Sequence, residues 1–117
     1  SNTLLQEDPL VVESKQKYEY VVGLGYGFLG KAVQVTINSR KVIFMVGTNE
    51  IEQYAQMQGT KMLASGSTSE KEIIVQVIVD GGEPYEQVID LSTGMYVHIY
   101  LERTGLRVYN TQFLVLE

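Results

Sequence analysis

A glycine-rich run near the N-terminus constrains the fold of this chain more than any other feature. Residues 18–30 read YEYVVGLGYGFLG and end in a G-x-G-x-x-G spacing formed by Gly25, Gly27 and Gly30. In dinucleotide-binding folds that spacing requires a helix to begin at the third glycine, because the free N–H groups of the helix hold the pyrophosphate. Residues 31–38 read KAVQVTIN, in which apolar and polar residues alternate. Alternation with period two indicates a strand, so the sequence argues against a dinucleotide site.

Strand-like segments continue to the C-terminus, with turn signals about every eight to twelve residues, the spacing of a β-sandwich or barrel. The segment 41–46 is apolar on both faces and is therefore predicted to be a central strand. The small polar segment 64–70 is predicted to be a mobile loop. Strands are predicted at 18–24, 32–37, 41–46, 72–79, 85–91, 95–102, 106–109 and 111–116.

One segment, 49–58, has the pattern of a helix. Asn49 is the predicted N-cap, Glu52 completes a capping box, and Gly59 is the predicted stop. About two turns of helix are not stable alone, so this element is expected to pack on the sheets as a crossover.

Composition narrows the functional class. The chain has 117 residues, the length of one domain, and carries 14 acidic against nine basic residues for a net charge of −5. Such a balance argues against binding to a nucleic-acid backbone. Because there is no cysteine, disulfides, thiolate metal sites and cysteine nucleophiles are excluded. The longest apolar runs are about eight residues, whereas a membrane-spanning helix needs ~20.

The domain organisation is predicted as a flexible N-terminal segment at 1–16 followed by one sandwich domain at 17–117. The opening Ser1-Asn2 resembles a protease-cleavage scar. A trimmed leader peptide or excision from a larger protein would explain it, and we therefore expect a location outside the cytoplasm.

The stretch DLSTGMYVH at 90–98 resembles the corner that leads into a late strand of immunoglobulin-like sandwiches. In that family a tyrosine in the corner holds the preceding loop through its hydroxyl. The resemblance implies an immunoglobulin-like β-sandwich of about seven or eight antiparallel strands. The cysteine position of antibody domains would be His98 here, and the chain has no tryptophan.

Aromatic side chains supply the candidate binding residues. In the strand at 95–102 the apolar face leaves Tyr96, His98 and Tyr100 in a row on the other face, and such a row is a platform for a protein, peptide or sugar. The glycine loop adds Tyr26 and Phe28 at its tip. Tyrosines also favour strands for packing reasons alone. The absence of tryptophan favours contact with a protein over contact with a sugar.

No catalytic or metal site is predicted. His98 is the only histidine, and no G-x-S-x-G nucleophile motif is present. Four acids lie around one hairpin, and loops of this kind sometimes hold calcium, but no D-x-D-x-D-G pattern occurs. They are interpreted as solvated turn residues: Asp80, Glu83, Glu86 and Asp90. No cofactor is expected.

Together these features predict a non-enzymatic binding or assembly module outside the cytoplasm that uses an exposed aromatic strand face. The expected partner is another protein or a second copy of the chain, without nucleic acid or membrane insertion. Two alternatives stay open: a small ligand-binding or enzymatic domain with its pocket at residues 23–30, and a structural domain of a larger surface protein.

Overall fold

Eight strands, one α-helix and one 3-10 helix make up the part of the chain that the computed structural model describes, residues 16–114. The 3-10 helix is Leu91–Thr93. The remaining elements are β1 (Tyr18–Leu24), β2 (Ala32–Ile37), β3 (Arg40–Val46), α1 (Asn49–Gln58), β4 (Lys61–Thr68), β5 (Glu72–Val79), β6 (Tyr85–Asp90), β7 (Tyr96–Glu102) and β8 (Gly105–Thr111).

The strands form two four-stranded sheets that pack as a sandwich, as the sequence predicted. The first sheet has the order β4-β1-β7-β8 and the second has the order β3-β2-β5-β6. Strands make up 59% of the described residues. All hydrogen-bonded strand pairs are antiparallel except β1 with β7, which run parallel. Parallel neighbours need a long connection, and the five intervening strands and α1 supply it.

The core lies between the sheets and is formed by the alternate residues that period-two patterning predicts. In β5, Ile73, Val75 and Val77 are fully buried, and in β7 Val97 and Ile99 are fully buried. The matching inward residues of the other two central strands are Val33, Val35 and Ile37 of β2 and Tyr20, Val22 and Leu24 of β1.

β3 is an edge strand, so its predicted central position is wrong. Among the strands of residues 16–114 it pairs only with β2, and its outward residues Phe44 and Val46 are 70% and 57% exposed. An apolar run can mean burial on both faces or one buried face and one solvent-exposed apolar face, and the alternation rule does not separate these cases.

The predicted mobile loop at 64–70 is also wrong, because residues 61–68 form β4, paired with β1 along its length. The packing of β1 requires glycine at position 66, because a side chain there would collide with the ring of Tyr20. Close packing against a neighbouring strand therefore overrides the low strand propensity of this segment.

The predicted strand at 106–109 and the start of the predicted strand at 111–116 form a single strand, β8. β8 continues from Gly105 to Thr111, and residues 112–114 are not strand. Two predicted segments extend beyond the described residues. These are residues 115–116 of the predicted strand at 111–116, and residues 1–15 of the predicted N-terminal segment at 1–16.

The helix at 49–58 is confirmed, but its cap is shifted by one residue. Thr48 has the extended backbone of an N-cap, and its Oγ1 accepts a hydrogen bond from Ile51 N at 3.2 Å. Asn49 is already helical. Glu52 does not close a capping box; its carboxylate accepts from Gly27 N at 3.0 Å and so joins the helix to the glycine loop.

Candidate functional site

The glycine run is followed by the strand β2, which confirms the prediction that no helix begins at Gly30. Two of its glycines instead make room on the outer face of the first sheet, the face turned away from the second sheet. A Cβ at Gly23 would lie 2.7 Å from the Thr60 methyl carbon, and a Cβ at Gly25 would collide with the Tyr100 ring. Within this run, Gly27 (φ 106°) and Gly30 (φ 74°) are the two glycines that adopt the positive φ that glycine tolerates.

A cleft of about 440 Å³ lies on this outer face. Its walls come from the end of α1, the start of β4, and the outward residues of β7 and β8. The lining residues are Tyr54, Gln58, Gly59, Thr60, Lys61, Met62, His98, Tyr100, Tyr109, Thr111 and Leu114. Ligand pockets typically have ~300–1,000 Å³ and combine aromatic walls with a few polar groups, and this cleft has both features.

A chain of hydrogen bonds crosses the base of the cleft, centred on His98. Thr60 Oγ1 lies 2.7 Å from His98 Nδ1 and 3.0 Å from the Tyr100 hydroxyl. On the other side of the ring, His98 Nε2 lies 2.8 Å from Thr111 Oγ1, which donates to the Phe113 carbonyl at 2.9 Å. His98 is only 7% exposed, and both nitrogens of its imidazole have hydrogen-bond partners within the protein.

Proton counting allows two states of this chain. Because Thr111 gives its proton to the Phe113 carbonyl, His98 Nε2 must donate to Thr111 in both states. If the ring is neutral, Nδ1 accepts from Thr60, and Tyr100 donates to Thr60. If the ring is charged, Nδ1 donates to Thr60, and Thr60 donates to Tyr100. Burial, and secondarily the charge of Arg107, lowers the pKa of His98 below its usual 6.5, which favours the neutral state.

Aromatic packing encloses the histidine. The ring of Tyr109 stacks on His98 with centroids 4.8 Å apart and lies parallel to Tyr100 at 6.2 Å. Arg107 lies 4.5 Å from the Tyr109 ring centroid. Burial, then the proximity of Tyr100, raises the pKa of Tyr109. Tyr26 packs edge-on against Tyr100 at 4.7 Å. The outer face of β7 and β8 is thus a packed cluster of rings rather than an open platform.

The structure brings together three of the five sequence-predicted binding residues. Tyr26, His98 and Tyr100 belong to one aromatic cluster, which unites the predicted glycine-loop and strand-face sites. The predicted exposure of the strand face is wrong, because His98 and Tyr100 are only 7% and 9% exposed.

The other two predicted residues lie elsewhere. Phe28 is fully buried in the core, so its predicted position at an exposed loop tip is wrong; the loop folds inward over the end of the sandwich. Tyr96 is half-buried at the start of β7 and does not line the cleft.

Sequence reasoning missed Tyr109, Thr60 and Tyr54. Tyr109 was within reach, because a hairpin that turns at residues 103–104 pairs Glu102 with Gly105 and hence His98 with Tyr109. No local pattern indicates Thr60 or Tyr54. They lie just before β4 and on α1, which are distant in sequence from the β7 and β8 residues that they meet in the cleft.

The electrostatics of the cleft are simple. Among the lining residues that the structure describes, Lys61 is the only Lys, Arg, Asp or Glu, and its ammonium lies 4.8 Å from the Tyr54 ring centroid. Tyr26 donates to the Glu102 carboxylate at 3.2 Å, and this hydrogen bond is the main reason that the pKa of Tyr26 is raised. Glu102 also pairs with Arg107 at 3.4 Å.

Two acids of the 80–90 hairpin accept hydrogen bonds from backbone amides, and a third, Glu86, accepts from the Gln76 side chain at 3.0 Å. Asp80 accepts from Ala32 N at 2.8 Å, and Asp90 accepts from Ser92 N at 2.9 Å, where the Ser92 hydrogen bonds lower the pKa of the Asp90 carboxyl. Within residues 16–114 no three His, Cys, Asp or Glu side chains are grouped to hold a metal ion.

Comparison with known proteins gives no relative for this chain: no family model, no curated protein and no solved structure matches it. Among the described residues there is also no helix of the length and apolarity needed to cross a bilayer.

Proposed function

We propose that this domain is a non-enzymatic binding module that takes a small ligand in the cleft between α1 and β8. The observation that carries the proposal is the combination of about 440 Å³ of space with aromatic walls and the hydroxyl of Tyr100. That hydroxyl hydrogen-bonds to Thr60, and its oxygen can form further hydrogen bonds with a ligand. Three tyrosines supply apolar area at a small cost in side-chain entropy.

Two features support binding rather than catalysis. The only imidazole has a threonine hydroxyl on each nitrogen, so it has no free position from which to act as a base on a substrate. The two hydroxyls beside the imidazole are both engaged elsewhere: Thr60 is 9% exposed and hydrogen-bonds to Tyr100, and Thr111 gives its proton to the Phe113 carbonyl. A nucleophile needs access to the reacting atom as well as an adjacent base.

Screening a fragment library by protein-observed NMR tests the proposal. We expect bound fragments to shift the amide signals of Gly59, Thr60 and Thr111. Gln58→Trp fills the mouth of the cleft and should abolish these shifts. Met57→Trp is the matched control, because Met57 is the preceding helix residue and is 73% exposed but does not line the cleft. Fragments that bind equally well to both variants would place the site elsewhere.

Two finer predictions accompany this proposal and rest on the sequence alone. One is that the sandwich is of immunoglobulin-like type, from the resemblance of residues 90–98. The other is that the domain works outside the cytoplasm.

A second candidate function, binding of a protein partner or of a second copy, is favoured by a separate surface. The outer face of the second sheet, defined by Phe44, Val46, Ile74 and Val88, exposes four large apolar side chains, each 47–70% exposed. Exposed apolar groups of this kind often mark contact surfaces.

A further inference from the structure

We propose that the ligand of the cleft is a small organic anion with an apolar body, and that its binding adds one proton to His98. This inference rests on the proposed function and specifies the chemistry of the same site. It follows from the charge of the lining residues and from the two states of the hydrogen-bond chain.

The lining residues favour an anion. Within residues 16–114, Lys61 is the only lining residue with a permanent charge, and it is a cation. The nearest acid of the aromatic cluster, Glu102, lies outside the cleft lining and is already engaged by Tyr26 and Arg107. The walls formed by Tyr54, Tyr109 and Met62 are apolar. A ligand with a carboxylate or sulfonate on a flat apolar body therefore matches both the charge and the surface.

The position of the Tyr100 hydroxyl couples this anion to His98. The hydroxyl lies beside Thr60, and a Cβ at Gly59 would be 3.9 Å from it, so it is surrounded by residues that line the cleft. In the neutral state Tyr100 gives its proton to Thr60 and offers an anion only lone pairs. In the charged state Thr60 gives its proton to Tyr100, and the Tyr100 O–H is free to donate to the anion.

The change from the neutral to the charged state takes up one proton and otherwise only reorients hydroxyl groups. One proton from solvent binds Nδ1 of His98, and the Nδ1–H now donates to Thr60 Oγ1. The Thr60 hydroxyl rotates to donate to Tyr100, and the Tyr100 hydroxyl rotates towards the ligand. No covalent bond to carbon is made or broken. The bond from His98 Nε2 to Thr111 is the same in both states.

The other groups around His98 explain why the anion is needed. Tyr109 stacks on the ring from β8, and Arg107 lies next to Tyr109. Tyr96 and Tyr100 are two residues away on β7, and Lys61 and Tyr54 line the same cleft from β4 and α1. Arg107 and Lys61 are cations, and none of these groups is an acid. An imidazolium here lacks a counter-ion until an anion binds, and the bound anion supplies one. Affinity for the anion should therefore rise as the pH falls.

Calorimetric titrations of benzenesulfonate, benzoate and neutral benzamide between pH 5.5 and pH 8 test the inference. Benzenesulfonate stays ionised over this range. We expect its affinity to rise by up to about tenfold for each unit of decrease in pH, the slope for uptake of one proton. Benzoate should behave alike, and the affinity of benzamide should not depend on pH. Because His98 is the only histidine, its ring ¹⁵N signals should move to imidazolium values when benzenesulfonate is added at constant pH.

Tyr100→Phe removes the coupling hydroxyl and should weaken anion binding and reduce its pH dependence, leaving only the part that comes from the charge of the anion. Tyr18→Phe is the matched control, because Tyr18 is on β1 and does not line the cleft.

Anions that bind while the His98 ring stays neutral would overturn the proton coupling. Benzamide binding without anion binding would overturn the preference for an anion and leave the proposed cleft intact. If none of the three probes binds but other fragments do, the anion inference is wrong; if no fragment binds at all, the proposed function fails with it.

Discussion

At the scale of single residues, Gly23 and Gly25 are needed because they have no side chain. Neither has a positive φ, so backbone freedom is not what they provide. They leave space on β1 into which Thr60 and the Tyr100 ring pack from other elements. The aromatic cluster is therefore built on the absence of two side chains.

Gly25→Ala tests this role, because the new methyl group would collide with the Tyr100 ring. We expect a loss of ~1–3 kcal/mol in the free energy of unfolding, the usual cost of overpacking. The double variant with Tyr100→Ala should lose less than the sum of the two single losses, since the collision is then removed. Urea unfolding measures all three. Gly30→Ala is the control: its loss of roughly 1 kcal/mol comes from the positive φ and should simply add to that of Tyr100→Ala.

His98 makes stability depend on pH in a defined direction. Folding lowers its pKa below 6.5, so at mildly acidic pH the unfolded chain binds more protons than the folded chain. The free energy of unfolding should therefore be at its full value above pH 6.5 and should fall as the pH drops below it. Over pH 5–8 no other type of side chain has its ordinary pKa. Denaturant unfolding in that range should show the slope in the native chain and a flat profile in His98→Gln; equal slopes would refute the assignment.

At the scale of elements, α1 is fixed to the sandwich by one carboxylate. Glu52 of α1 accepts a hydrogen bond from the Gly27 amide, and the helix end at Gly59 leads directly to Thr60 in the cleft. A helix of this length is not stable in isolation, so its position depends on such contacts. The glycine loop, the helix and the cleft consequently form one connected unit.

Glu52→Ala should loosen this unit. A hydrogen bond to a charged group contributes ~1.5–3 kcal/mol, and its loss should speed hydrogen exchange at the Gly27 amide. The matched control is Glu50→Ala, which removes an acid from the same first helical turn at an exposed position. Equal exchange rates at Gly27 in the two variants would show that Glu52 does not hold the loop.

At the scale of the whole molecule, the two outer faces of the sandwich differ. The outer face of the first sheet is partly covered by α1 and its own ring cluster. The outer face of the second sheet lies open, and its edge strand β3 carries Phe44 at 70% exposure. Unpaired edges that carry exposed apolar residues favour association with another chain.

We expect the native chain to self-associate in sedimentation velocity at high concentration, and Phe44→Asp to shift it towards monomer. Phe113→Asp is the matched control, because Phe113 is 74% exposed but lies after β8, away from this face. A monomeric native chain at all concentrations, or an equal effect of both substitutions, would contradict self-association through the second sheet.

The sequence alone determined the class of the fold and most strand positions. Period-two alternation in residues 32–37 and 72–79 identified the inward faces of β2 and β5, because burial on one side of a strand leaves a pattern in the chain itself. It also excluded a helix after Gly30. The same local rule misplaced β3 and missed β4, because strand order and the space beside Tyr20 depend on neighbours distant in sequence.

The candidate site was decided by tertiary structure. The sequence singled out Tyr26, His98 and Tyr100 but did not indicate that His98 is buried, since the ring that stacks on it, Tyr109, comes from another strand. Thr60 reaches His98 only because Gly23 has no side chain and because α1 ends one residue before Gly59. Local periodicity reports which side of an element is apolar, whereas a cleft is defined by which elements meet over it.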